Sequence, residues 1–214
     1  MSKINKNLPE TIPVFPLSNF IFFPKTTVPL NIFEPRYIEM IDDAMKGNRI
    51  IGMIQPKNSN NKLPELYNIG CIGKITSFNE TEDGRYLIVL VGISRFEIIE
   101  ELNTKKKYRQ CKVNYTNFSF DMMKKNNEIK FTDLNLIFKN LKSLFIKLGY
   151  VINWKELENQ NLDTTINTLA MASPFSLEEK QILLEAKNLN DRKKILEKIL
   201  STYKFDNFSN KTLQ

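Results

Sequence analysis

The chain contains no histidine. That absence removes Ser-His-Asp and Cys-His activation of a nucleophile, the HExxH zinc site and the usual proton shuttle near neutral pH. Cysteine is nearly as scarce: Cys71 and Cys111 stand far apart with no CxxC spacing, so neither a metal site nor a redox pair is expected. Both are expected to be buried free thiols of a reducing, cytoplasmic compartment. Glycine is too sparse to build a phosphate cradle. The nearest approach, Gly70-Cys71-Ile72-Gly73-Lys74, lacks the loop spacing and the Ser or Thr that would hold magnesium. The longest uncharged stretch, Thr11 to Pro24, carries Pro13, Pro16 and Pro24 and falls short of the roughly 20 apolar residues that span a bilayer. No small-residue cleavage site follows it, so it does not read as a signal peptide either. Glu80, Glu82 and Asp83 cluster in a turn where water solvates them, which gives no reason to expect a catalytic dyad. The expectation is therefore no catalytic residue, no metal, no cofactor and no membrane partner.

What the chain does have is a surplus of positive charge, 31 Lys+Arg against 24 Asp+Glu for a net +7. A surplus of this kind suits nucleic acid when it is concentrated on one face or tail. Here it is spread evenly, +4 over residues 1–118 and +3 over the remainder. The one compact run, Lys105-Lys106-Lys107, reads as a solvated loop between strands. Apolar residues make up 42% of the 214, enough to bury the core of one large domain or two small ones.

Punctuation divides the chain. Six of seven glycines and eight of nine prolines fall at or before Gly92, which separates a β-rich first part from a helical second part. Short apolar runs recur between turn signals at Ile12–Phe15, Val28–Phe33, Ile50–Gln55, Gly70–Phe78, Tyr86–Val91, Phe96–Glu100 and Gln110–Tyr115, the pattern of a closed or nearly closed antiparallel sheet. Asp83-Gly84 predicts a tight type I′ hairpin. The run Tyr86–Val91 is apolar on both faces, so it belongs in a wall that something else covers, and Pro35–Lys46 is a candidate helical cover ended by Gly47. Polar, aperiodic residues 118–130 read as a hinge. Beyond it Phe131, Leu134, Phe138, Leu141, Phe145 and Leu148 recur at steps of three and four on one helix ended by Gly149, and helices follow at Asn153–Glu158, Thr164–Met171, Leu177–Lys187 and Leu189–Tyr203. Ser176 with Glu179 forms a capping box, and Asn188 with Asp191 repeats its logic. The expected division is a flexible N-terminus (1–10), a β-rich lobe (11–117), a hinge (118–130), a helical bundle (131–205) and a flexible tail (206–214).

The runs Ile12-Pro13-Val14-Phe15-Pro16-Leu17, Phe22-Phe23-Pro24 and Val28-Pro29-Leu30-Asn31-Ile32-Phe33-Glu34-Pro35-Arg36-Tyr37 resemble, in order and spacing, the opening of the substrate-binding N-terminal domain of Lon proteases. The likeness continues through Ile51-Gly52-Met53-Ile54, Gly70 to Ile75, Asp83-Gly84-Arg85-Tyr86 and Gly92-Ile93-Ser94-Arg95-Phe96, and resumes at Glu179 to Ala186 with Arg192 after it. It spans roughly residues 11–203. The resemblance implies an α+β fold, a PUA-like antiparallel β-barrel lobe followed by an α-helical bundle. Lys25 stands where the family often has glycine, at a position whose turn favours positive φ.

Full-length Lon proteases carry an ATPase module and a Ser-Lys peptidase after this domain. After Gly92 the only glycine is Gly149, so neither a Walker loop nor a glycine-flanked nucleophile fits in this chain, and a stand-alone, non-enzymatic form is expected. The implied function is recognition of unfolded or hydrophobic polypeptide segments, with a protease or a chaperone as docking partner. The rival reading is an RNA-binding protein, because PUA-like barrels also serve that role and the chain is basic. For the peptide-binding surface, the segment Phe20-Ile21-Phe22-Phe23 is the candidate: strand alternation would put Phe20 and Phe22 on one face and Ile21 and Phe23 on the other, with one face turned outward.

Overall fold

The structure is a computed structural model, and it describes residues 8–57, 63–122, 135–149, 151 and 153–209. The expected flexible start and tail, and the hinge beyond Met122, lie largely outside the described residues. Contacts divide the chain into two compact units, Met1–Met123 and Lys124–Gln214.

The first unit holds six strands: β1 (Thr11–Pro16), β2 (Thr27–Ile32), β3 (Ile50–Ile54), β4 (Ile69–Glu80), β5 (Tyr86–Leu102) and β6 (Arg109–Asn114), with helix α1 (Pro35–Lys46) between β2 and β3. They run in the order β2-β5-β4-β3-β1-β6, and β6 returns to β5. The ring β5-β4-β3-β1-β6 is therefore closed, and β2 hangs on β5 outside it. Every pairing is antiparallel except β1 with β3, which is parallel with Val14 opposite Gly52, so the expected all-antiparallel barrel is corrected at one seam. The reason lies in connectivity: the chain leaves β1, forms β2 and α1, and re-enters the sheet, the kind of long crossover a parallel pair requires.

Two expected strands, Tyr86–Val91 and Phe96–Glu100, are one strand of 17 residues. Gly92 does not break it. The first half of β5 pairs with β2 and the second half with β6, while β4 follows it throughout with register shifts at Ile72/Gly73 and Ile75/Ser77. Those irregularities let one strand bend far enough to close the ring. The β4–β5 hairpin also differs from expectation. Only Gly84 takes positive φ, +77°, and the loop runs from Thr81 to Arg85, tied by the Thr81 hydroxyl to Asp83 and to the Arg85 carbonyl. A type I′ turn needs two left-handed residues, and Asp83 is not one.

Inside the barrel, Ile12, Val14, Ile50, Ile54, Ile72, Phe96, Cys111 and Val113 form the core. A short 3-10 segment, Thr116–Met122, then packs back onto β5. Asp121 accepts hydrogen bonds from the Arg95 backbone N–H (3.0 Å), Nε (2.8 Å) and Nη2 (2.9 Å), and the Arg95 guanidinium lies 4.3 Å from the centre of the buried Phe118 ring. Arg95 is buried, and the Asp121 side chain is nearly so. The stretch expected to be hinge from Phe118 onward thus begins as part of the first unit. Its polar letters concealed the role because a buried Arg–Asp pair looks like surface in a sequence.

The second unit holds α2 (Asn135–Lys147), α3 (Trp154–Glu158), α4 (Leu162–Ala172), α5 (Leu177–Glu185) and α6 (Leu189–Ser209). Ile137, Phe138, Leu141 and Phe145 are the buried stripe of α2, and Gly149 closes the helix at φ +76°. Of the expected seam, Phe131 and Leu134 lie outside the described residues, and Leu148 is exposed because it falls past the last turn. Trp154 meets Phe138 and Phe145 edge-on, at 6.3 and 5.8 Å between ring centres. The capping box at Ser176 and Glu179 forms as read, and Asn188 accepts the Asp191 N–H. Arg192, fully buried, donates to the Leu183 carbonyl and to Asn167 Oδ1, so α6 supplies donors to the open end of α5.

Candidate functional site

The segment Phe20–Phe23 is not a strand, and it is not an open patch. Ile21, Phe22 and Phe23 are buried, and only Phe20 is partly exposed. A methyl group at Gly73 would lie 2.8 Å from the Phe22 ring, and one at Gly92 would lie 2.3 Å from the Phe23 carbonyl oxygen. Those two glycines are spaces that the segment fills. The Thr26 hydroxyl donates to the Phe23 carbonyl at 2.7 Å, and Lys25 N–H donates to the Gly92 carbonyl at 2.9 Å. Alternation failed here because it presumes an extended strand. The chain instead folds onto the sheet, with Lys25 in the left-handed region at φ +60°.

The outward surface of the sheet lies elsewhere. On β5, Ile88 and Leu90 point into the core, whereas Leu87, Val89 and Val91 point the other way. Register places Asn31, Pro29 and Thr27 of β2 opposite Leu87, Val89 and Val91. On the other side β4 places Asn79, Ser77 and Lys74 opposite the same three. Directly paired residues share a face, so these nine positions form one outward surface with an apolar centre and Lys74 as its sole charge. Leu87 is 43% exposed, and Phe33, just beyond β2, is 66% exposed. At the same end, Phe78 is 38% exposed and meets Tyr86 edge-on at 4.8 Å, while the Tyr86 hydroxyl donates to Asp42 of α1. Helix α1 thus lies on the Tyr86 side and leaves the Leu87 side to solvent. In a chain that is 26% charged, an outward face almost free of charge is the composition of a contact surface.

This surface is not built for adding a strand. β2 ends the ladder with one neighbour, and Pro29 in its middle has no N–H to offer. What the face presents is side chains. The signal that could have found it was present in the sequence as the run Tyr86–Val91, apolar on both sides; the expected cover takes only one of them.

The basic run is internally engaged. Lys106 Nζ lies 2.7 Å from Asp43 Oδ2, Lys107 Nζ 3.9 Å from Glu39, and the Tyr108 hydroxyl donates to the same Asp43 oxygen at 2.8 Å. Hydrogen bonds from Lys106 and Tyr108 hold the Asp43 carboxyl below its ordinary range. Two of the three lysines therefore face α1 acids and not a phosphate backbone. Glu34 and Arg36 form an exposed pair at 2.7 Å at the start of α1. Among the described residues no group of three or more His, Cys, Asp or Glu is placed to hold a metal ion. No described helix is long and apolar enough to cross a membrane.

The family model described as the ATP-dependent protease La (LON) substrate-binding domain matches residues 11–202. The chain is 27% identical over 197 residues to a Lon protease of Flavobacterium johnsoniae, covering 88% of this chain and 23% of that one. It spans about a quarter of the length of the curated relatives it matches. Among solved structures, the N terminal domain of Mycobacterium avium complex Lon protease superposes with a TM-score of 0.64 at 18% identity, covering 89% of this chain and 98% of that one. A Lon N-terminal domain protein from Xanthomonas campestris gives 0.62 at 20% identity, with 89% and 97% covered. At these identities the structural likeness concerns the fold.

Proposed function

Because this chain belongs to the substrate-binding domain family of ATP-dependent protease La (Lon), we propose that it binds exposed apolar segments of unfolded polypeptides through the outer face of β2, β5 and β4. The observation that carries the reading is the outward row Leu87, Val89 and Val91, flanked by uncharged neighbours apart from Lys74 and extended by Phe33. An apolar row with no fixed polar partners recognises many sequences, as a recognition module for diverse clients requires. On this reading the chain holds its clients and leaves cleavage to a protease, with a protease or chaperone as its docking partner. Two buried free cysteines support residence in a reducing cytoplasm.

The test is a double variant assayed against reduced, carboxymethylated casein. Leu87→Glu with Val89→Glu places two charges on the exposed row, and binding should weaken by about tenfold or more, a loss of about 1.4 kcal/mol or greater. The melting temperature should stay close to that of the parent, because both side chains reach solvent. Unchanged casein affinity in the folded double variant would remove this face from the site.

A further inference from the structure

The charges around the apolar row of β5 differ from one end to the other. At the Val91 end, Lys74 of β4 stands directly opposite Val91 and, on its other side, opposite Ile50 of β3. Arg49 precedes Ile50, and its carbonyl accepts the Ile75 N–H at 2.8 Å, which brings a second basic residue next to Lys74 in the sheet. Both side chains are exposed, and among the described residues neither makes an ion pair. Arg49 takes the left-handed conformation, φ +61°, which glycine adopts freely and arginine at a cost. Its N–H donates to the Ala44 carbonyl at 3.0 Å and the Ile50 N–H donates to Asn48 Oδ1, so contacts and not residue type fix the backbone there. At the Leu87 end the rim cations are paired, Arg85 with Asp83 and Arg36 with Glu34, each at 2.7 Å. Glu82, exposed in the hairpin loop, makes no ion pair among the described residues, and neither does Glu80 just before it.

The row therefore runs from two bases to two acids, all four without ion-pair partners, across the neutral positions Thr27, Pro29, Asn31, Ser77 and Asn79. An apolar row alone binds indiscriminately. Opposite charges at its two ends add attraction for one arrangement of flanking residues and repulsion against the others. We propose that the face selects extended apolar segments whose two flanks carry opposite charges, the acidic flank toward Lys74 and Arg49 and the basic flank toward Glu82 at the hairpin. From Leu87 to Val91 the strand rises about 13 Å, and the hairpin loop adds to that, so a segment of about seven to nine extended residues reaches both ends. Pro29 keeps backbone pairing at the β2 edge from fixing the direction of the segment, so side chains alone decide how it lies. The inference rests on the sheet-face reading and names the class of client that face prefers.

The experiment uses the full chain and dansyl-labelled nonapeptides with blocked ends, each built on the core Leu-Ser-Leu-Ser-Leu. One pair carries Asp-Asp at one flank and Lys-Lys at the other, in the two possible orders; three more carry Asp-Asp, Lys-Lys or Asn-Asn at both flanks. By anisotropy at low salt, the tighter of the oppositely flanked peptides should bind at least about threefold more tightly than either like-charged one. Sodium chloride at about 0.5 M should level the charged peptides. The net charge of +7 acting alone would instead favour the all-acidic peptide. Lys74→Glu with Arg49→Gln makes both ends of the row acidic, and the Lys-Lys peptide should then bind best. Should that variant lose its thermal transition, Lys74→Gln with Arg49→Gln should cancel the advantage of the oppositely flanked peptides over the Lys-Lys one. Affinity that simply rises with the peptide's negative charge, or a ranking that survives in the folded variants, overturns the proposal. The Asn-Asn peptide separates the two readings. If it binds and Leu87→Glu with Val89→Glu weakens it while flanking charge makes no difference, this inference alone fails; if that variant leaves it unchanged, or no peptide binds, the sheet-face reading fails and this inference with it.

Discussion

Lys25 occupies the left-handed region at φ +60°, a conformation that costs an ordinary residue roughly 1 kcal/mol relative to glycine. Its N–H still bonds the Gly92 carbonyl, so the turn is fixed by contacts and not by the residue's own preference. Lys25→Gly should therefore raise the stability by about 0.5 to 1 kcal/mol, read as a higher urea midpoint at unchanged slope. Arg95 and Asp121 present the opposite case. Arg95 is buried and Asp121 nearly so, and Asp121→Ala removes the carboxylate that faces the guanidinium; the expected loss is about 3 to 5 kcal/mol in chemical unfolding. At Cys111, burial foremost pushes the thiol from 9.0 up to about 11. The folded thiol stays neutral where the unfolded one ionises, so this group's contribution is intact below pH 9 and is lost as pH rises from about 9 to about 11. Iodoacetamide at pH 8 should leave both cysteines unmodified in the native chain and label both in urea; rapid native labelling would mean that the barrel opens readily.

At the scale of elements, the sequence revealed types more readily than continuity. Strand β1, helix α1 and the capped start of α5 were legible because each carries a local device: alternation, Pro35 at the first turn, the Ser176–Glu179 box. Strand β5 was not, because its unity depends on partners far away in sequence that change from β2 to β6 along its length. The expected two-faced exposure of Phe20–Phe23 was misread for the same reason. Phe20–Phe23 was read by alternation, which describes a strand, yet its burial depends on the space left by Gly73 of β4 and Gly92 of β5. The apolar row proposed in its place was visible as letters, but which of its faces α1 would take depended on packing. Phe22→Ala should accordingly cost about 3 to 5 kcal/mol of stability, in contrast with the near-neutral Leu87→Glu and Val89→Glu pair, and thermal melts of the two variants separate core from surface.

At the scale of the whole molecule, an even, unfocused charge accompanies a nearly uncharged outward face on the closed barrel. Family membership supplies the class of task, and this face is the place proposed for it. The measurement that tests this most directly is a methyl NMR titration of the Leu- and Val-labelled chain with reduced, carboxymethylated casein. The methyl signals of Leu87, Val89 and Val91 should shift or broaden together as the client is added, while those of Leu90, on the opposite and fully buried side of the same strand, should stay nearly unmoved. Shifts confined to methyl groups outside β5, with Leu87, Val89 and Val91 unchanged at saturation, would contradict it.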